Sequence, residues 1–249
     1  MHGATSGAWH FLEHWGPALA GDGYPVFAVD LRGHGQSEGR AALREARLDD
    51  FVADAVAAFD HVQSRTGQAP ILLGHSMGAV IGRLVAARRS PRGLAAFGFG
   101  DVGMSFRAFG AWAMHNFPWA TLAGMVRGDL GGLFARTEPQ RRLMFGREPL
   151  ESVRGFVERF RVQPESARVF PDLQGLTSVP RPQTDRILVV AGAEDPLVPV
   201  AALERLADQL DTAAIRIPGA AHDLFLGPTR HRSLDVVRDW LSRTTEVAP

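Results

Sequence analysis

The chain has 249 residues, equal numbers of basic and acidic side chains, and no cysteine. Its length allows one large domain or two small ones, and its zero formal net charge argues against nucleic acid or an anionic membrane as a partner. Without cysteine there is no disulfide, no thiolate metal site and no cysteine nucleophile.

The start of the chain carries no signal-peptide pattern. No uninterrupted apolar run reaches about 18 residues, the length that a membrane-spanning helix needs. We therefore expect a soluble, cytoplasmic protein without an integral membrane segment.

Apolar segments that predict buried strands alternate along the chain with helical patterns. The predicted strands are residues 25–30, 70–74, 94–100, 186–192 and 213–219. The predicted helices are residues 48–66, 77–89, 200–210 and 230–243, and the first opens with Asp49 and Asp50, which favour a helix N-terminus. This alternation predicts an α/β fold in which a mostly parallel sheet is flanked by helices on both faces.

The alternation stops between residues 102 and 182, where short amphipathic helical patterns are punctuated by prolines. We interpret residues 102–182 as a helical cap inserted into a core formed by residues 1–101 and 183–249. Most of its large apolar side chains are expected to pack between helices and a few to line a pocket. These side chains are Phe106, Phe109, Trp112, Phe117, Trp119, Met125, Phe134, Met144, Phe145, Phe156 and Phe160.

Residues 74–78 read Gly-His-Ser-Met-Gly and match the pattern G-x-S-x-G, between a predicted strand and a predicted helix. A serine at such a sharp turn adopts a strained backbone conformation, and small flanking residues leave room for the turn. The turn exposes the serine hydroxyl above the sheet. The context therefore favours Ser76 as a nucleophile over a serine that merely begins a helix.

A serine nucleophile needs a histidine base that is oriented by a carboxylate, in the chain order serine, acid, histidine for this motif. Asp195 follows the predicted strand 186–192, and His222 follows the predicted strand 213–219. Parallel strands present their carboxyl ends at one edge of the sheet, so we expect both residues at the edge where Ser76 lies.

Other ionisable residues near these positions are alternatives. Glu194 could replace Asp195 as the acid, although Asp195, directly before Pro196, is preferred. Asp223 is interpreted as a local capping or surface group, and His34 as part of a structural glycine-rich loop at the edge of the active site. The remaining histidines show no paired ligand spacing, so we expect no metal site. They are His10, His14, His61, His115 and His231.

Near the start of the chain, His2 and Gly3 precede Ala4. A loop with a His-Gly pair typically supplies one backbone N–H to an oxyanion hole, and the residue after the nucleophile supplies the other. These donors would be the N–H groups of Ala4 and Met77.

Together these features make the chain resemble the α/β-hydrolase family, and within it the branch of monoacylglycerol lipases, lysophospholipases and small bacterial esterases. The similarity runs from His2 to about Leu241. Its marks are residues 2–3, the run Asp-Leu-Arg-Gly-His-Gly-Gln-Ser-Glu-Gly at 30–39, residues 74–78, Asp195 and His222. The resemblance implies an α/β-hydrolase fold and an ester substrate.

The front of the chain departs from this family, in which an apolar strand runs directly into the His-Gly loop. Only Met1 precedes His2. We expect this central strand and two outer strands to be missing, which would leave Ala4 on a poorly anchored arm. Our hypothesis is a truncated or misassigned start.

The sequence predicts a serine hydrolase that needs no cofactor and acts on small-molecule esters with apolar acyl groups, because the cap is rich in Phe, Trp and Met. The same machinery in a thioesterase, an amidase or peptidase, or a C–C hydrolase is an alternative. A catalytically silent binding module is another. Haloalkane dehalogenases and epoxide hydrolases use an aspartate nucleophile, so Ser76 argues against both.

Overall fold

The computed structural model describes residues 1–127, 130–176 and 178–245. Gly128, Asp129 and Thr177 of the predicted cap, and residues 246–249 of the predicted core, lie outside the described residues. No helix in the described part of the chain combines the length and the apolar composition needed to cross a membrane.

Four parallel strands form the central sheet in their order along the chain. They are β1 (Ile71–His75), β2 (Gly93–Phe97), β3 (Ile187–Gly192) and β4 (Ala214–Ile217). Gly74 pairs with Ala96, and Phe97 pairs with Val190. Because the strands are parallel, the segments that follow them meet at one edge of the sheet. Four of the five predicted strands are thus confirmed.

Apolar side chains bury both faces of this sheet. In β2, Leu94 and Ala96 belong to one buried cluster, whereas Ala95 and Phe97 belong to another. This alternation follows from the two-residue period of a strand. The cluster with Leu94 and Ala96 also contains Val80 and Ile81 of the helix that follows β1. The cluster with Ala95 and Phe97 also contains Leu188 and Val190 of β3.

Six α-helices lie outside the predicted cap among the described residues; the last four have nearly the predicted bounds, and the first two were not predicted. They are α1 (Trp9–Leu12), α2 (Trp15–Gly21), α3 (Leu48–Thr66), α4 (Met77–Arg88), α10 (Val200–Leu210) and α11 (Arg230–Thr245). In α3 the Asp50 carboxylate accepts the N–H of Arg47 at 2.8 Å, and Gly67, at a φ of +72°, ends the helix. A short 3-10 helix (Arg40–Glu45) precedes α3.

Between β2 and β3 the described residues form helices joined by short loops, without a strand. These helices are α5 (Val102–Asn116), α6 (Pro118–Arg127), a 3-10 turn (Leu130–Leu133), α7 (Thr137–Phe145), α8 (Leu150–Arg161) and α9 (Val169–Gln174). The boundaries of the cap as a separate unit remain a prediction.

The strand predicted at residues 25–30 is wrong, because this segment has no regular secondary structure. Strand formation needs a neighbouring backbone for ladder hydrogen bonds. The backbone of Met1, not that of residues 25–30, lies along the edge of β1 that faces away from β2. The terminal amino group of Met1 donates to the Leu73 carbonyl at 2.6 Å, and the His75 N–H donates to the Met1 carbonyl at 3.1 Å.

Candidate active site

Ser76 lies between the last residue of β1 and the first residue of α4, with a φ of +53° and a ψ of −119°. Non-glycine residues rarely adopt this conformation, and it costs on the order of 1–3 kcal/mol. The flanking glycines explain how the turn is tolerated. A Cβ on Gly74 would lie 2.2 Å from the Gly78 carbonyl, and one on Gly78 would lie 2.3 Å from the Met1 carbonyl. The site therefore requires glycine at both positions.

His222 and Asp195 form a buried pair at the same edge of the sheet. Asp195 follows β3 and His222 follows β4, and Nδ1 of His222 lies 2.8 Å from Oδ2 of Asp195. The other carboxylate oxygen accepts the N–H of Leu197 at 2.8 Å. Glu194, in contrast, is exposed. A carboxylate at Nδ1 selects the tautomer whose Nε2 is free to accept a proton.

The end of β2 links Ser76 to His222. The Ser76 N–H donates to the Phe97 carbonyl at 2.8 Å. A Cβ on Gly98 would lie 3.3 Å from Cε1 of His222 and 3.0 Å from Nε2 of His75. The nucleophile candidate and the histidine therefore flank the same pair of residues, Phe97 and Gly98.

His75 supports the backbone of His222, a role that the sequence analysis missed. Its Nε2 lies 2.9 Å from the His222 carbonyl oxygen. A carbonyl only accepts, so Nε2 carries the hydrogen. Burial, followed by the proximity of His222 and His10, holds the pKa of His75 well below its usual range. A neutral His75 thus donates to His222.

A second buried pair lies beside His222. Nε2 of His10 is 2.6 Å from Oδ2 of Asp223, and neither side chain is exposed. The other oxygen of Asp223 accepts the N–H groups of Phe225, Leu226 and Gly227 at 3.1, 2.7 and 3.2 Å. Asp223 therefore caps the turn that follows His222, as one of the two predicted alternatives had it, whereas the alternative of a surface group is wrong because the side chain is buried. Its pairing with His10 was not predicted.

The loop with the His-Gly pair packs against Ser76. Nδ1 of the buried His2 donates to the Gly3 carbonyl at 2.8 Å, and its Nε2 accepts the Leu31 N–H at 3.1 Å. A Cβ on Gly3 would lie 3.0 Å from the Cβ of Ser76. The expected poor anchoring of Ala4 is therefore wrong, because side-chain and backbone hydrogen bonds hold the residues around it.

Two backbone donors are available beside Ser76. Met77 is the first residue of α4, where an N–H has no partner within the helix. For Ala4, no hydrogen bond within the described residues uses the N–H. Neither predicted oxyanion donor is thus used by a hydrogen bond among the described residues.

A cavity of about 780 Å³ opens beside Ser76 and Met77. Aromatic side chains form part of its walls, and among them Phe109 stacks on Phe134, with ring centroids 5.5 Å apart. Of the large apolar cap residues named above, those that line the cavity are Phe106, Phe109, Met125 and Phe134. Others lie elsewhere, such as Trp119, which is 83% exposed.

Charged side chains also line this cavity. They are Arg40, Arg44, Arg161 and Glu165. Glu165 is the single carboxylate among the described lining residues. No cluster of three or more possible metal-ligating side chains occurs within the described ranges.

The chain matches the family model described as "Serine aminopeptidase, S33" over residues 1–229. It is 29% identical to a monoacylglycerol lipase of Mycolicibacterium smegmatis over 250 residues, which cover 93% of this chain and 81% of that protein. A shorter match, 35% identical over 81 residues, relates it to epoxide hydrolase B of Mycobacterium tuberculosis and spans 22% of that protein and 32% of this chain. The fold is similar to that of the Paleococcus ferrophilus monoacylglycerol lipase, with a TM-score of 0.62, 20% identity and coverage of 97% of this chain and 92% of that one.

Proposed function

Because the chain belongs to the serine aminopeptidase S33 family of α/β-hydrolases, we propose that it cleaves carboxylic esters of apolar acyl groups with Ser76 as the nucleophile. The observation that carries this proposal is the buried His222–Asp195 pair, 2.8 Å apart, at the edge of the sheet where Ser76 forms its strained turn. The relative named a monoacylglycerol lipase supports a monoacylglycerol as one candidate ester.

In the first step, Ser76 Oγ attacks the ester carbonyl while Nε2 of His222 takes its proton. Asp195 accepts the Nδ1–H of His222 and stabilises the imidazolium that forms. The backbone N–H groups of Met77 and Ala4 donate to the oxyanion. Collapse of the tetrahedral intermediate breaks the C–O bond, and His222 gives its proton to the departing alcohol.

The second step releases the acid. His222 removes a proton from water, which attacks the carbonyl of the acyl-enzyme, and the same two N–H groups stabilise the new oxyanion. Ser76 then leaves and recovers its proton from His222. The cycle balances with water as the single co-reactant and uses no cofactor.

The cavity supports an apolar acyl group, since aromatic side chains line it beside Ser76. An aminopeptidase would need a free carboxylate for the substrate ammonium group. Glu165 is the one carboxylate among the described lining residues, and it already accepts the Thr5 N–H at 2.9 Å. This arrangement favours an ester over an aminopeptidase substrate.

The decisive experiment compares acyl esters of increasing chain length with matched thioesters and anilides. We expect hydrolysis of esters, with kcat/KM rising as the acyl chain lengthens into the cavity. A preference for the thioester or the anilide at equal chain length would contradict the ester proposal while keeping the serine mechanism.

A fluorophosphonate probe tests the rival reading of a silent binding module. We expect labelling of Ser76 in the folded protein, no labelling of Ser76→Ala, and wild-type labelling of Ser90→Ala, a control at an exposed serine. Folded wild-type protein that stays unlabelled and hydrolyses no substrate would favour the binding module.

A further inference from the structure

A cap carboxylate, Glu165, reaches the loop that carries Ala4. Its Oε2 accepts the Thr5 N–H at 2.9 Å, and its side chain is only 9% exposed. Thr5 directly follows Ala4 and has a φ of +52°, a conformation that non-glycine residues disfavour. The hydrogen bond therefore holds a strained residue next to the proposed oxyanion donor.

The same oxygen of Glu165 lies 3.4 Å from Nε2 of His34, whose side chain is fully buried. Nδ1 of His34 lies 3.1 Å from the Arg32 carbonyl oxygen. A carbonyl only accepts, so Nδ1 carries a hydrogen, and a neutral His34 would turn the lone pair of Nε2 toward a carboxylate. Two facing acceptors repel each other. The arrangement therefore favours a proton on Nε2 and a charged pair.

The surroundings of His34 favour this proton. Burial lowers the pKa of His34, but the Glu165 carboxylate, the Arg32 carbonyl and the Asp30 carboxylate outweigh it, and the net direction is upward. The neighbouring His2 ring, 5.0 Å away, adds little opposing charge, because burial keeps its pKa well below the usual range. His34 is thus the histidine of this cluster that more readily carries a positive charge.

We propose that Glu165, paired with His34, is a positioning residue that sets the direction of the Ala4 N–H from the cap side. The inference rests on the proposed function, since it presupposes that this N–H binds the oxyanion. An oxyanion donor acts mainly in the transition state, so a small displacement weakens catalysis more than substrate binding. The effect therefore falls on kcat rather than on KM.

Glu165→Gln tests the inference, because it keeps the size of the side chain and removes its charge. Glu151→Gln is the matched control, since Glu151 is an exposed glutamate of the same cap, in the first turn of α8. With p-nitrophenyl butyrate we expect kcat of Glu165→Gln to fall about 10-fold and KM to change less than about 2-fold. Glu151→Gln should match the wild type.

The pH profile separates positioning from a general loss of structure. The charged pair exists while His34 is protonated and is lost as the pH rises through its raised pKa, so wild-type kcat should fall on the alkaline side. Glu165→Gln and His34→Gln should both lack this alkaline fall. If the residues act as a unit, the double variant should be no slower than the slower single variant.

The outcomes are distinguishable. If the wild type is active and Glu165→Gln keeps the wild-type kcat and its alkaline fall, the inference is overturned and the proposed function stands. The same holds if Glu151→Gln loses as much kcat as Glu165→Gln. A wild type that hydrolyses no ester overturns the proposed function and the inference together. If Glu165→Gln does not fold, His34→Gln provides the test. An alkaline fall of kcat in His34→Gln equal to that of the wild type would contradict the inference.

Discussion

The Nε2–H of His75 donates a hydrogen bond of 2.9 Å to the backbone carbonyl of His222. The residue before the proposed nucleophile thereby holds the backbone of the proposed base. We expect His75→Leu, which removes the donor, to lower kcat about 10-fold, and His75→Gln, which keeps an amide donor, to lower it less. Steady-state kinetics on folded variants provide the test, and equal activity of His75→Leu and the wild type would contradict this role.

Removing the nucleophile should nearly abolish turnover. Ser76→Ala is expected to lower kcat by roughly 10⁴-fold or more, with a residual rate from binding and oxyanion stabilisation. Single-turnover ester hydrolysis measures the loss, and Ser90→Ala serves as the control. Near-normal turnover by Ser76→Ala would remove Ser76 from the mechanism.

The choice between neighbouring acids can be tested directly. Asp195→Asn keeps the shape of the side chain but allows the wrong tautomer of His222, so we expect kcat to fall by roughly 10²- to 10⁴-fold. Glu194→Gln, at the adjacent exposed position, should leave kcat unchanged. The reverse pattern would assign the acid to Glu194.

The His10–Asp223 pair should be costly to break, because both side chains are buried. Asp223→Ala leaves His10 and three backbone N–H groups without their acceptor, and we expect the free energy of unfolding to fall by roughly 3–5 kcal/mol. Asp223→Asn keeps one acceptor oxygen and should lose less. Urea denaturation measures both, with Asp208→Ala at an exposed site of α10 as the control. A loss equal to that of the control would contradict the assigned role.

Acid should destabilise the fold through its buried neutral histidines. Burial lowers the pKa values of His2 and His75 in the folded state, so below the ordinary imidazole pKa the unfolded chain takes up protons that the folded chain does not. Stability is therefore present above that pKa and declines as the pH falls, by about 1.4 kcal/mol per pH unit for each histidine. Urea denaturation at several pH values between neutral and mildly acidic gives the free energy of unfolding as a function of pH. This free energy should fall less steeply with decreasing pH in His75→Gln than in the wild type.

Local patterns were sufficient for much of the fold. The apolar runs and helical spacing predicted four strands of the sheet and the bounds of α3 and α10, because both kinds of pattern arise from residues close together in the chain. Residues 74–78 likewise predicted a strained turn, and the structure has it at Ser76. The strand predicted at residues 25–30 fails because a strand also depends on its partner, which a local pattern does not contain.

The sequence by itself determined the chemical groups of the candidate site and their order, with Ser76, Asp195 and His222 each following a strand of the sheet. Tertiary structure alone decided which side chains support them. Asp223 meets His10 across 213 positions of the chain, and Glu165 meets Thr5 across 160. Such contacts leave no periodic trace in the sequence, because they form only when packing brings distant segments together. The aromatic residues that line the cavity are selected in the same way, since every docked helix needs apolar side chains and only its orientation decides which of them face the cavity.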